Sequence, residues 1–183
     1  MTRVLASLWL AVILGWIVFA IAGWFVTGPA SVWMGFAVGA TAVLLFRDTL
    51  PLRGMVALLA PFGVMLPALA LRHMGAKLGL PVMPFSAIEL AIFLVAYVAF
   101  LATAMGVIPV DVYRLGYAPL PVAGMVLAVC LYGLITGNWF LPLVAVLGQA
   151  LWVLGWGSSN WFDHVTHVLL VPVTAVVLVT RLF

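Results

Sequence analysis

Apolar stretches long enough to cross a lipid bilayer follow one another along almost the whole chain, and this feature limits the fold more than any other. A membrane-spanning helix needs roughly 20 predominantly apolar residues. Seven stretches approach or reach this length, at residues 4–26, 30–46, 51–71, 86–106, 119–137, 139–157 and 162–181. Glycine, proline, asparagine, serine or charged residues separate them, as is typical of helix ends. We therefore expect an all-α, polytopic bundle of seven membrane helices.

A six-helix bundle is the alternative. The second stretch is short and rich in small residues, and Gly137-Asn138 is all that joins the fifth stretch to the sixth. Gly35 and Gly39 in the second stretch predict a surface that another helix can approach closely. Because a polytopic chain offers many internal neighbours, we expect that helix to come from the same chain.

Composition indicates one transmembrane domain over residues 1–183. Apolar residues make up 68% of the chain and charged residues 6%, against about 25% charged in soluble domains. The formal charge is +3, and the basic residues are scattered singly, which excludes a nucleic-acid interface. We expect a multi-pass protein of an inner or plasma membrane, with membrane lipids and other membrane subunits as its partners.

Concentrated polar chemistry occurs in residues 160–167, at the start of the last apolar stretch. On one continuous helix Asn160, His164 and His167 share a face, and Asp163 lies one turn before His167. Imidazole and carboxylate groups are ligands that zinc prefers. The pattern therefore predicts a site for a divalent, zinc-like metal on His164, His167 and Asp163. The alternative is structural, because Asn160 with Asp163 three residues later also suits a helix cap.

Glu89 is a second candidate, because an acid inside a membrane span is costly and is a functional hypothesis by default. Ser86 precedes it by three residues, so a capping box is the alternative interpretation. His73 is expected in a loop near lipid headgroups, with metal ligation as its alternative. Cys130 stands alone, which excludes a disulfide within the chain.

Three classes of function fit this pattern. The first is an intramembrane enzyme acting on a lipid or isoprenoid-like substrate, with Asp163, His164, His167 and Glu89 as its catalytic residues. The second is a small transporter or channel for protons or metal ions. The third is a structural or assembly subunit of a larger membrane complex. An interfacial polar cluster favours the enzyme over the transporter, because transporter sites usually lie near the bilayer midplane.

Overall fold

The computed structural model describes residues 2–59 and 63–181, and these ranges form helices and connecting loops with no β-strand. The α-helices are α1 (Thr2–Ala22), α2 (Ala30–Phe46), α3 (Leu50–Leu59), α4 (Met65–Lys77), α5 (Ala87–Ala104), α6 (Pro119–Thr136), α7 (Phe140–Val153), α8 (Trp161–Val165) and α9 (Leu170–Val179). A 3-10 helix, Tyr113–Tyr117, lies between α5 and α6. The all-α prediction is confirmed for the described residues.

The chain divides into two compact units, Met1–Val82 and Met83–Phe183. The first unit contains α1–α4, and the second contains α5–α9 together with the 3-10 helix. The single domain expected over residues 1–183 stays a prediction.

Helices α1 and α2 form an antiparallel hairpin with direct backbone contact. A β-carbon added at Gly35 would lie 2.4 Å from the carbonyl oxygen of Gly15, and one at Gly39 would lie 2.4 Å from that of Ala11. Only glycine permits such an approach. The predicted close packing on Gly35 and Gly39 is therefore confirmed, and the partner helix belongs to the same chain.

Helix α4 packs against α1 through aromatic groups. The indole Nε1 of Trp16 donates to Nδ1 of His73 over 3.1 Å, and the ring of Phe19 meets the imidazole edge-on at 5.1 Å. Met74, the next residue, is fully buried against Phe19. The expectation that His73 lies in a loop is wrong, because α4 continues to Lys77.

In the second unit, α5 runs antiparallel to both α6 and α9. At one end, Tyr132 of α6 donates to the carboxylate of Glu89, and Arg181 donates to the carbonyl oxygen of Phe85. Helix α7 folds back on α6 after Gly137, which adopts a left-handed conformation at φ 73°. The opposite end of α5 faces the 3-10 helix and α8, as the contact between the rings of Phe100 and Phe162 shows.

Three helices have the length and composition to cross a membrane, at Arg3–Ala22, Ala87–Ala104 and Pro119–Thr136. Helices α2 and α3 add a fourth candidate if they form one span, although the chain bends by 114° between them. The described residues therefore contain three or four candidate spans, fewer than the seven predicted.

The missing spans are apolar stretches that the structure divides or shortens. The predicted span 51–71 is interrupted before Met65, because Gly63 and Val64 lie outside any helix. Helix α7 ends at Val153, before Gly155 and Gly157 with positive φ angles of 65° and 125°. The last stretch divides into α8 and α9, which are 5 and 10 residues long.

The glycine contact between α1 and α2 gives the first prediction. Gly39→Ala is expected to lower the melting temperature of the purified protein by several degrees, because the new methyl group meets backbone atoms that have no rotamer to change. Overpacking of this kind typically costs about 1–3 kcal/mol.

Gly54→Ala, on α3 of the same unit, is the matched control, since a β-carbon there has no neighbour within 4 Å. Its melting temperature should stay the same or rise, because alanine favours a helix over glycine. Equal destabilisation of the two variants would contradict the observed packing.

Candidate functional site

The candidate site is a hydrogen-bonded cluster built around Asn160, Asp163 and His164. It joins three segments of the second unit: the 3-10 helix, the loop before α8, and α8 itself. We call it the Asp163 junction. Its residues lie at the end of α5 that carries Phe100.

Asn160 begins α8 and is completely buried. Its side-chain oxygen accepts from the backbone N–H of Phe162 over 2.9 Å, which confirms the predicted helix cap. Its side-chain NH₂ donates to the carbonyl oxygen of Tyr113 over 2.8 Å. One buried amide thus satisfies two backbone groups from segments about fifty residues apart in the chain.

Asp163 accepts hydrogen bonds from two hydroxyl groups. The phenol of Tyr113 lies 2.9 and 2.8 Å from its two oxygens, and the hydroxyl of Ser158 lies 2.6 Å from one of them. Burial of Tyr113 and its bond to the neighbouring carboxylate raise the pKa of its phenol well above the ordinary value. Tyr113 therefore stays protonated at neutral pH and remains a donor to Asp163.

His164 is 3% exposed, and its Nε2 lies 2.8 Å from the carbonyl oxygen of Ser158. Since a carbonyl oxygen can only accept, Nε2 must carry a proton. His164 therefore ties α8 back to the loop that precedes it.

His167 lies beyond the end of α8, in the break before α9. Its Nδ1 accepts from the backbone N–H of Leu169 over 3.2 Å, so a neutral ring carries its proton on Nε2. Thr166 has an extended backbone, at φ −107° and ψ 162°. The expectation that His164 and His167 share one face of a continuous helix is wrong for this reason.

Two glycines permit the close packing of the Asp163 junction. A β-carbon at Gly116 would lie 2.0 Å from the side-chain oxygen of Asn160. On α7, a β-carbon at Gly148 would lie 2.5 Å from the side chain of Val165. Any larger residue at either position would displace α8.

Glu89 lies at the other end of α5. It forms a capping box with Ser86, in which the Ser86 N–H donates to its carboxylate over 2.6 Å and the Ser86 hydroxyl accepts its N–H over 3.1 Å. Helices rise 1.5 Å per residue, which places Glu89 about 17 Å along α5 from Phe100, whose ring contacts the junction. The structure brings Asp163 and His164 together and leaves Glu89 apart from them.

The predicted metal site does not fit the hydrogen bonds as they stand. A neutral imidazole binds metal through its unprotonated nitrogen, and in His167 that nitrogen already accepts the N–H of Leu169. His164 retains Nδ1 for ligation. Within residues 2–59 and 63–181, no group of three His, Cys, Asp or Glu side chains is placed to hold a metal ion. Metal binding by His164, His167 and Asp163 stays a prediction.

Tyr113 is the member of the junction that sequence reasoning missed. It is 50 residues from Asp163 in the chain, and its position near a span end suggests an interfacial aromatic. Asp163 also accepts a hydrogen bond from the hydroxyl of Ser158, five residues before it in the chain. No local pattern indicates the contact between Tyr113 and Asp163, because it depends on how the chain folds back.

Comparison with known proteins finds no matching family model, no similar curated protein and no similar solved structure.

The bond between Tyr113 and Asp163 gives the second prediction. Tyr113→Phe and Asp163→Asn should each lower stability, since hydrogen bonds to charged groups contribute about 1.5–3 kcal/mol. The double variant should lose clearly less than the sum of the two single losses, because each change removes the same bond.

Thermal unfolding of all four proteins measures this coupling. Gly124→Ala, on α6 of the same unit, is the control for handling effects, as a β-carbon there has no neighbour within 4 Å. Strictly additive losses would show that the two side chains do not interact.

Proposed function

We propose that this chain is an integral membrane protein that works as a structural or assembly subunit, with the Asp163 junction holding its second unit together. The supporting observation is how the junction uses its polar groups. Asp163, Asn160 and His164 bond Tyr113, Ser158 and the backbone around them. Such bonds fix the positions of segments, and they occupy the carboxylate oxygens of Asp163, Nε2 of His164 and Nδ1 of His167.

The membrane assignment rests on exposed apolar helices. The most apolar windows of α5 and α6 have only 6% and 17% of their residues buried within the chain. Large side chains such as Ile88, Val95 and Leu127 are about 70% exposed. Contiguous apolar surface of this extent requires lipid or another membrane protein. We further propose that the chain crosses a cell membrane several times, as the apolar stretches predict.

The divided helix at the end of the chain is compatible with a membrane setting. Irregular backbone is tolerated at membrane depth where protein surrounds it. His167 is 5% exposed and meets the backbone N–H of Leu169 in the break between α8 and α9. The imidazole of His167 thus accepts the backbone N–H that water would accept at an aqueous surface.

One observation favours the enzyme as a second candidate. The indole of Trp161 is 5% exposed, and among the described residues its N–H has no acceptor. It directly precedes Phe162 and Asp163. A buried donor of this kind can be satisfied by a polar group of a bound lipid-like substrate, and the half-buried carboxylate of Asp163 would then be the acid–base group.

Metal content and lipid turnover distinguish the two candidates, and they give the third prediction. Wild type, Asp163→Asn and His164→Ala/His167→Ala are purified in mild detergent. Bound metal is measured by elemental mass spectrometry, and membrane lipids are incubated with each protein and analysed for products. A structural junction predicts lower melting temperatures in both variants, and no metal or lipid product that depends on these residues.

Stoichiometric metal that disappears in the histidine double variant would contradict the structural proposal. So would a lipid product that disappears in Asp163→Asn while its melting temperature is retained. Trp161→Phe then tests the substrate contact, because it keeps an apolar aromatic ring and removes the N–H.

A further inference from the structure

The first unit contains a cleft of about 760 Å³ between α1, α2 and α3. Cavities of roughly 300–1,000 Å³ are typical of small-ligand sites. We call it the arginine cleft, because Arg3, Arg47 and Arg53 line it together with Asp48. The Asp163 junction belongs to the other unit, so the cleft is a separate feature of the chain.

The hairpin brings two of these arginines to the same end. Since α1 and α2 are antiparallel, the start of α1 lies beside the end of α2, and Arg3 and Arg47 occupy these positions. The chain then turns through 114°, so that α3 lies across the end of the hairpin instead of extending it. Arg53, in the first turns of α3, reaches the same cleft.

Asp48 positions two of the guanidinium groups. Its carboxylate oxygens lie 3.5 Å from Nε of Arg47 and 3.9 Å from a terminal nitrogen of Arg53. All three side chains are more than 60% exposed, and ion pairs this exposed are worth about 0–1 kcal/mol. A stronger anion can therefore replace the carboxylate as the partner of these arginines. With three arginines and one aspartate in its lining, the cleft has a net positive charge before any anion binds.

The remaining walls of the cleft are apolar. They include Val4 and Leu8 of α1 and Leu44 of α2, which are 55–76% exposed. Helix α1 is one of the candidate membrane spans. Apolar walls on a membrane helix, with guanidinium groups at the helix end, match a molecule that has a hydrocarbon chain and a phosphate head. Guanidinium forks pair with phosphate oxygens through two hydrogen bonds at once.

From this arrangement we propose that the arginine cleft binds one anionic phospholipid. The phosphodiester lies among Arg3, Arg47 and Arg53, and an acyl chain lies along the walls formed by α1 and α2. A zwitterionic lipid brings its own cation to the arginines and binds more weakly. The site is distinct from general attraction to an anionic membrane surface, because the arginines converge on one cleft and are not spread along a basic segment.

Native mass spectrometry of the full chain in detergent tests the proposal, with phosphatidylglycerol and phosphatidylcholine as probes. The wild type is expected to bind one phosphatidylglycerol about tenfold more tightly than phosphatidylcholine, as one charge-assisted hydrogen bond to phosphate would give. Arg47→Gln/Arg53→Gln is expected to reduce this preference to less than about twofold.

Lys77→Gln/Arg114→Gln is the matched control, because it removes the same charge from positions outside the cleft. It should keep the tenfold preference. Asp48→Asn should tighten phosphatidylglycerol binding, since it removes the competing carboxylate. Unchanged melting temperatures show that these exposed substitutions leave the fold intact.

Three results would overturn the proposal. The wild type binds the two lipids equally, or the control loses the preference as fully as the cleft variant does. Alternatively, millimolar inorganic phosphate displaces phosphatidylglycerol completely, which would assign the arginines to a free anion without an acyl chain.

Discussion

Hydrogen bonds at helix ends are the interactions on which the rest of this structure depends. A helix leaves unpaired backbone groups at both ends, and a chain with 6% charged residues has few side chains to satisfy them. At two helix starts, polar side chains satisfy these groups. Ser86 and Glu89 cap α5, and Asn160 caps α8. The Asp163 junction extends this principle, since the residues that cap α8 also tie it to the 3-10 helix.

Local sequence predicts the bounds of several helices in this protein better than it predicts the number of membrane spans. The starts and ends of α2, α5 and α6 agree with the apolar stretches to within a few residues. The prediction of one continuous span at 162–181 was wrong, because hydropathy does not detect the break at Thr166. There the side chains of Thr166 and His167 form hydrogen bonds to the backbone. Close packing on Gly35 and Gly39 could be predicted, because small-residue spacing is itself a local signal.

Long-range partners were beyond prediction for a different reason. The sequence shows that Asp163 and His164 are unusual in an apolar segment. It does not predict that the chain folds back and places Tyr113 against Asp163. In the folded chain, groups that resemble metal ligands in isolation become hydrogen-bond partners: Asp163 accepts from two hydroxyl groups, and His164 bonds a backbone carbonyl oxygen. The arginine cleft shows the opposite case, since singly scattered arginines converge only after the hairpin and the 114° bend have formed.

The central claim is that Asp163 holds the 3-10 helix and α8 together. Hydrogen–deuterium exchange of the full chain in lipid nanodiscs, comparing wild type with Asp163→Asn, tests it most directly. We predict faster exchange in residues 113–117 and 158–169 of the variant, with exchange in α1 and α2 unchanged, because local opening follows the loss of local hydrogen bonds. Identical exchange in both proteins at residues 113–117 and 158–169 would contradict the account.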